Sequence, residues 1–280
     1  MTAEQATPRV TTARYAVSQL LRFAWIELQC CLFPALVFAG LALSTVVPLP
    51  IARYDALLIY AVAITVITYL LGFETGREVG VIFAFHLLGL ALELFKVHQG
   101  SWSYPEEAWS KIAGVPLYAG VMYASVGSYI CQAFRRFGLT VTGYHWLPAT
   151  LCALAAYANF FTHHWIVDLR YVIAVLFIGV LWRARVHFIV GRARYWMPLW
   201  VSFLLIGVFL WLAENAATFL GAWKYPDQLD FWRMVHVGKL GSWALLVSLS
   251  FVLVAAVKAQ EGRLYGDGLP AVTTDETDPD

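Results

Sequence analysis

The chain has 280 residues, of which 60% are hydrophobic, 16% aromatic and 13% charged, with 19 Lys and Arg against 18 Asp and Glu. Soluble domains run at roughly 45–50% apolar and about 25% charged, and a soluble domain of this length cannot hide the surplus. The composition excludes a soluble enzyme, a disordered regulator and a nucleic-acid binder, and it points to a membrane.

A spanning helix needs about 20 mostly apolar residues, because the hydrocarbon core is about 30 Å thick and the helix rises about 1.5 Å per residue. Eight stretches qualify, in order 23–47, 54–73, 79–97, 115–134, 146–161, 169–182, 197–219 and 240–257. The sixth is short and can begin near Trp165, so seven is the alternative count. Runs such as Ala56-Leu57-Leu58-Ile59-Tyr60-Ala61 do not alternate as barrel strands do. The expected fold is therefore all-α, a polytopic transmembrane helix bundle of about eight spans.

Residues 1–22 carry Glu4, Arg9, Arg14 and Arg22 and lack the apolar core of a cleavable signal, so they read as a cytoplasmic N-terminal segment. Residues 23–258 form the transmembrane domain, and 259–280 read as a disordered acidic C-terminal tail. With eight spans, twelve Lys and Arg fall on the side of the two termini and seven on the other. The positive-inside rule then puts both termini in the cytoplasm of a bacterial inner membrane. The basic stretch Arg183-Ala-Arg185 to Arg192-Ala-Arg194 reads as an orientation anchor in a cytoplasmic loop. Cys30, Cys31, Cys131 and Cys152 lie inside apolar spans and read as small buried hydrophobes. Glu74, Arg77 and Glu78 form a short charged connection and are expected to pair with one another, while Glu27 and Gln29 suit interhelical hydrogen bonds.

Two segments share the pattern E-x6-G-x-W-x-Y-P. One runs from Glu93 through Gly100, Trp102 and Tyr104 to Pro105, the other from Glu214 through Gly221, Trp223 and Tyr225 to Pro226, 121 positions later. Gly ends the helix, Pro keeps it from restarting, and Trp and Tyr suit a water–lipid boundary. Four spans separate the copies, which implies two parallel four-helix repeats, about 23–136 and 146–258. A carboxylate well inside a span costs about 2.5–3.5 kcal/mol even on insertion scales, so two at matching positions ask for a partner or a use.

Further ionisable groups fall on the same outer side. His86 shares a helix face with Glu93, and Lys96, one turn beyond, can pair with it. The stretch Asn159-Phe-Phe-Thr-His163-His164-Trp-Ile-Val-Asp168 places His164 and Asp168 as i,i+4 neighbours if it is helical. His98 follows the first Glu, and Arg233, His236 and Lys239 precede the last span. His and carboxylate at membrane depth fit two chemistries. One is a divalent metal site, with His163, His164, Asp168, Glu93 and Glu214 as candidate ligands. The other is metal-free acid–base work by the same five residues. Trp102, Tyr104, Trp223, Tyr225, His86, Asn159 and His236 are then the candidates for contacting a substrate.

The run Gly100-Ser-Trp-Ser-Tyr-Pro, Ala113-Gly-Val-Pro-Leu, Gly127-Ser-Tyr, Asn159-Phe-Phe-Thr-His-His and Asp168-Leu-Arg resembles the YoaT-like family of bacterial multi-pass membrane proteins of unknown function. That resemblance covers about residues 23–258 and implies a membrane location without an activity. A shorter stretch, Gly-x-Trp-x-Tyr followed by Gly114-Val-Pro116-Leu117, is similar to lycopene-cyclase-type membrane carotenoid enzymes, whose substrate is a long isoprenoid in the bilayer. Those enzymes follow Pro-Leu with two acidic residues, where this chain has Tyr118-Ala119, so Glu93 or Glu214 would have to supply the acid. The sequence thus leaves three readings: an intramembrane enzyme acting on a lipid or isoprenoid near the outer face, a proton- or ion-coupled transporter, and a structural or assembly protein.

Overall fold

The computed structural model describes residues 8–265. Nine α-helices account for most of that chain: α1 Pro8–Cys30, α2 Leu32–Val46, α3 Arg53–Leu70, α4 Gly76–His98, α5 Ala119–Arg136, α6 Trp146–Thr162, α7 Arg170–Leu181, α8 Leu199–Phe219 and α9 Lys239–Gln260. Helices α3, α4, α8 and α9 are each long and apolar enough to cross a membrane. A fifth crossing results if α1 and α2, which meet at a 63° bend, form one span. At Cys31 the expected first span breaks. The expected sixth span shrinks to the 12 residues of α7, about 18 Å of helix and short of the hydrocarbon thickness.

The fold is not purely helical. The strands β1 Lys111–Ile112 and β2 Val115–Pro116 form a hairpin whose turn, Ala113-Gly114, has positive φ at both positions. The expected basic loop is an antiparallel sheet of β3 Thr140–Thr142, β4 Arg185–Val190 and β5 Ala193–Pro198, in the order β3-β4-β5. Its β4–β5 hairpin turns at Gly191-Arg192, with positive φ at Gly191. The expected tail also starts later than residue 259. Helix α9 runs to Gln260, Leu264 is buried, and its carbonyl accepts from the Val141 amide. Residues 1–7 and the acidic run 273–280 lie outside the described residues.

Large apolar side chains such as Leu70, Val175 and Phe209 point outward, each 70% exposed or more. Contiguous exposed apolar surface of this kind requires a non-aqueous neighbour, and lipid provides it. Inside, α4 lies along α5 and α8 along α9, while α2 packs on α3 and α5, and α6 on α7 and α9. Glycine permits the closest of these approaches. A Cβ on Gly120 of α5 would come within 2.4 Å of the His86 carbonyl oxygen on α4. One core centres on Phe134, Phe177, Phe203 and Phe251. A second gathers Tyr54, Leu92, Trp102, Tyr104, Tyr118 and Trp223 at the ends of α4 and α8, and this aromatic core frames the polar site.

Candidate functional site

Helix α4 starts in a capping box, with the Thr75 side chain accepting from the Glu78 amide and Glu78 accepting from the Thr75 amide. It ends in a Schellman-type turn. Gly100 has φ 68°, and the Ser101 amide donates back to Lys96. Helix α8 ends the same way at Gly221, φ 72°, with Ala222 donating to Ala217. The first turn sends Trp102 and Tyr104 back to α4, and the second sends Tyr225 back to α8.

In the first copy the returning side chains bind the glutamate. Trp102 Nε1 donates to Glu93 Oε2 at 2.6 Å and the Tyr104 hydroxyl donates to the same oxygen at 2.8 Å. The Tyr123 hydroxyl, from α5, donates to Oε1 at 2.7 Å. In the second copy the Tyr225 hydroxyl donates to Glu214 Oε1 and Trp243 Nε1, from α9, donates to Oε2 at 2.8 Å. The Lys239 ammonium lies 4.0 Å from Glu214 Oε1 and donates to the Tyr225 hydroxyl at 3.0 Å. Both carboxylates are about as buried as any apolar core residue, Glu93 at 5% and Glu214 at 3% exposure. Burial, followed by the adjacent carboxylate, pushes the Tyr104 and Tyr225 hydroxyls well above the ordinary phenol range, so both stay protonated donors at neutral pH.

The boundary role expected of these aromatics is therefore corrected. Trp102, Tyr104 and Trp223 are buried instead of facing the interface, and Trp102 and Tyr104 bind Glu93. The two loops also meet. Ser103 and Lys224 exchange both backbone hydrogen bonds at 2.9 Å, and the Trp102 and Tyr225 rings contact edge to face at 5.9 Å.

A second polar group stands beside the first. Lys96 does not pair with Glu93. Its ammonium donates to the Phe160 carbonyl at 2.8 Å and to His164 Nε2 at 3.0 Å, and sits 3.8 Å from the Phe160 ring centroid. Helix α6 ends at Thr162, so His164 and Asp168 are not helical neighbours. His163 Nδ1 lies 3.1 Å from the Asn159 carbonyl, satisfying the helix end. Asp168 accepts from Asn159 Nδ2 at 2.9 Å, from the Arg170 amide at 3.0 Å and from Arg170 Nε at 2.5 Å. Burial alone would raise the Asp168 carboxyl, but the hydrogen bonds from Asn159 and Arg170 together hold it below the usual carboxylate range. Burial, then Lys96 and His163, push His164 down, so at neutral pH it is a neutral acceptor. Arg170 Nη1 reaches Ser242 Oγ at 3.0 Å, one residue from Trp243.

His86 is half-buried against Gly120 of α5, and His98 and His236 are exposed, with His236 Nδ1 accepting from the Gly238 amide. Among the described residues no three His, Cys, Asp or Glu side chains converge as a metal-binding group. Of the five candidate ligands only His163 and His164 lie together, ring centroids 4.3 Å apart, while both glutamates are engaged by aromatic donors and Asp168 by Asn159 and Arg170.

Several contributors escaped the sequence reading. Arg53 donates to Ser44 Oγ, Glu106 Oε1 and the terminal α8 carbonyls of Leu220 and Gly221, and so joins α2, the β-hairpin loop and α8. Asp55 accepts from the Trp109 and Ser110 amides and pins the same loop. Tyr123 and Trp243 carry a weak signal, since they lie 120 positions apart and so nearly repeat the motif spacing with unlike aromatics. A narrow crevice of about 20 Å³ lies between α4, α5, α6, α8 and α9, with Leu92, Tyr123, Tyr157, Trp243 and Ser250 among its walls.

The opposite end of α4 holds a different group, and the expected pairing among Glu74, Arg77 and Glu78 does not occur. Glu78 lies 3.4 Å from Arg135, Arg77 reaches Glu261, and Glu74 accepts from Ser128 at 2.6 Å. Glu27 and Gln29 do bond across helices, to Tyr129 and Arg136.

A bundle of long apolar helices whose large apolar side chains face outward is an integral membrane protein. The chain belongs to the family DUF817, a protein family of unknown function, whose model matches residues 19–251. It is 54% identical over 245 residues to "Uncharacterized protein YoaT" of Bacillus subtilis (strain 168), covering 87% of this chain and 93% of that protein. The YoaT-like membership expected from the sequence thus holds. No solved structure matches.

Proposed function

We propose that the protein binds a lipid or isoprenoid in the crevice and acts on it as an intramembrane enzyme, with Glu214 as the acid–base residue. One observation carries this reading. Tyr123 and Trp243, which line the crevice, are the side chains that donate to Glu93 and Glu214. An apolar chain in the crevice would therefore end against both carboxylate groups. Lys239, Tyr225 and Glu214 form a hydrogen-bonded relay along which a proton can pass. Glu93, which accepts from three neutral donors, holds the site's shape. His163, His164 and Asp168 act as positioning residues, through the α6 end, Lys96 and Arg170.

The architecture we favour is two parallel halves, α2–α5 and α6–α9, within an eight-segment bundle of the bacterial inner membrane, both termini cytoplasmic. The matching helix pairs support it, as does the Ser103–Lys224 bridge between the repeated loops. The same paired halves favour a second reading, a proton-coupled carrier. Lipid and carotenoid profiles of a host expressing wild type, Tyr225→Phe or an empty vector test the proposal. Wild type should change the profile, and Tyr225→Phe, at equal abundance, should restore that of the empty vector. A wild-type profile equal to the empty vector's, or a Tyr225→Phe profile equal to wild type, overturns the enzyme reading.

A further inference from the structure

Resting on the amphiphile reading above, we infer that the ligand carries an anionic phosphate head group, held at the outer mouth of the crevice by Lys96, Arg170 and Lys239. Lys96 follows the crevice residue Leu92 by four positions on α4, and Lys239 precedes Trp243 by four on α9. Residues four apart share a helix face, so each ammonium stands one turn outward of a crevice wall. Arg170 reaches the same rim through Ser242, the neighbour of Trp243.

Their counter-charges are unequal. Arg170 has Asp168 at 2.5 Å, and Lys239 has Glu214 only at 4.0 Å. Among the described residues Lys96 has no carboxylate within 4.0 Å, although it is buried to 2% exposure and sits one turn from Glu93. Glu93 does not serve it: its oxygens accept from Trp102, Tyr104 and Tyr123 instead. A buried ammonium with only neutral partners is costly, and a charge of opposite sign relieves the cost. Each ammonium carries three protons, of which Lys96 directs two at the Phe160 carbonyl and His164 and Lys239 one at Tyr225. Side chains of Lys239 and Arg170 are 34% and 31% exposed, so an incoming head group can reach them. Phosphate oxygens match both the ammonium and the guanidinium donors.

The test uses wild-type protein in phosphatidylcholine nanodiscs and three probes: farnesyl monophosphate, farnesol and inorganic phosphate. Farnesyl monophosphate should bind at least tenfold more tightly than farnesol, and inorganic phosphate should compete poorly. Lys239→Met should bring the two farnesyl ligands to within about threefold of one another. Arg170→Met provides the same comparison should Lys239→Met not fold. Equal wild-type affinity for farnesol and its phosphate overturns the head-group inference and leaves the amphiphile reading standing. Binding of neither removes both. Inorganic phosphate competing as well as farnesyl monophosphate overturns the amphiphilic ligand in favour of a free anion.

Discussion

Glu93 makes a sharp test because its three donors differ in what they can accept. Glu93→Ala leaves Trp102 Nε1, Tyr104 Oη and Tyr123 Oη without their shared acceptor. Each buried donor so stranded costs about 1–3 kcal/mol, so the change should cost about 3–9 kcal/mol if none finds a new partner. Glu93→Gln is milder for a reason of geometry. An indole N–H donates only, whereas a hydroxyl both donates and accepts. The Gln carbonyl must therefore take the Oε2 position and keep Trp102 and Tyr104, while its NH2 turns to the Tyr123 hydroxyl, which can accept. What is lost is the charge assistance, about 1–3 kcal/mol in all. At about 2–4 °C per kcal/mol for a chain of this size, Glu93→Ala should lower the melting temperature by about 6–36 °C and Glu93→Gln by about 2–12 °C. Intrinsic tryptophan fluorescence of detergent-purified protein, heated in parallel, gives both values. An alanine variant melting within 2 °C of wild type, or a glutamine variant less stable than the alanine one, refutes the donor argument.

Two other measurements address packing and the opposite face. Glu74 is 1% exposed, its Oε2 meets no hydrogen-bond partner among the described residues, and burial pushes its carboxyl from 4.5 up to about 7. Because the folded state holds that proton more tightly than the unfolded chain, this group's contribution to stability is fully present below pH 4.5 and is lost as pH rises through 7, by about 3 kcal/mol in the limit. Melting temperature should therefore drop by several degrees between pH 5 and 8 in wild type and stay nearly flat in Glu74→Gln, and parallel curves would count against the buried carboxyl. A methyl group at Gly120 would meet the His86 carbonyl oxygen at 2.4 Å, so Gly120→Ala should cost about 1–3 kcal/mol by thermal melting. Gly80→Ala, with open space at its Cβ, should be neutral or stabilising by up to about 1 kcal/mol, and equal losses at the two sites would refute the close approach.

Residue type and spacing made the membrane class and the two buried glutamates legible. A carboxylate inside an apolar stretch is expensive wherever the chain folds, so Glu93 and Glu214 stand out before any partner is known. The motif glycines were equally readable, because a helix followed by Gly, aromatics and Pro has few ways to continue. Helix length was less so. Residues 169–182 contain only one apolar helix of 12 residues, because Arg170 is tied to Asp168 and Ser242 at its start and strand β4 begins at Arg185. The basic loop hid its strands for a related reason. Arg185, His187 and Arg194 fit an orientation anchor by charge, while pairing with β3 and β5 depends on partners distant in sequence.

Partners were the least legible feature of the site, and Lys96 and Asp168 show why. Spacing alone paired Lys96 with Glu93 and Asp168 with His164, since each pair fits one helix face. Both pairings assume that neighbouring donors leave the carboxylates free. The return of Trp102 and Tyr104 over α4 fills Glu93, and the end of α6 at Thr162 turns Asp168 toward Asn159 and Arg170. Lys96 is then left to a carbonyl and an imidazole. The two motif copies also diverge where a ligand could use the difference. Glu93 accepts only neutral donors, whereas Glu214 has a partly exposed ammonium beside it. A repeated pattern therefore located two carboxylates, but their unequal surroundings, set by Tyr123 on α5 and by Lys239 and Trp243 on α9, separate a position held by neutral donors alone from one with an ammonium beside it.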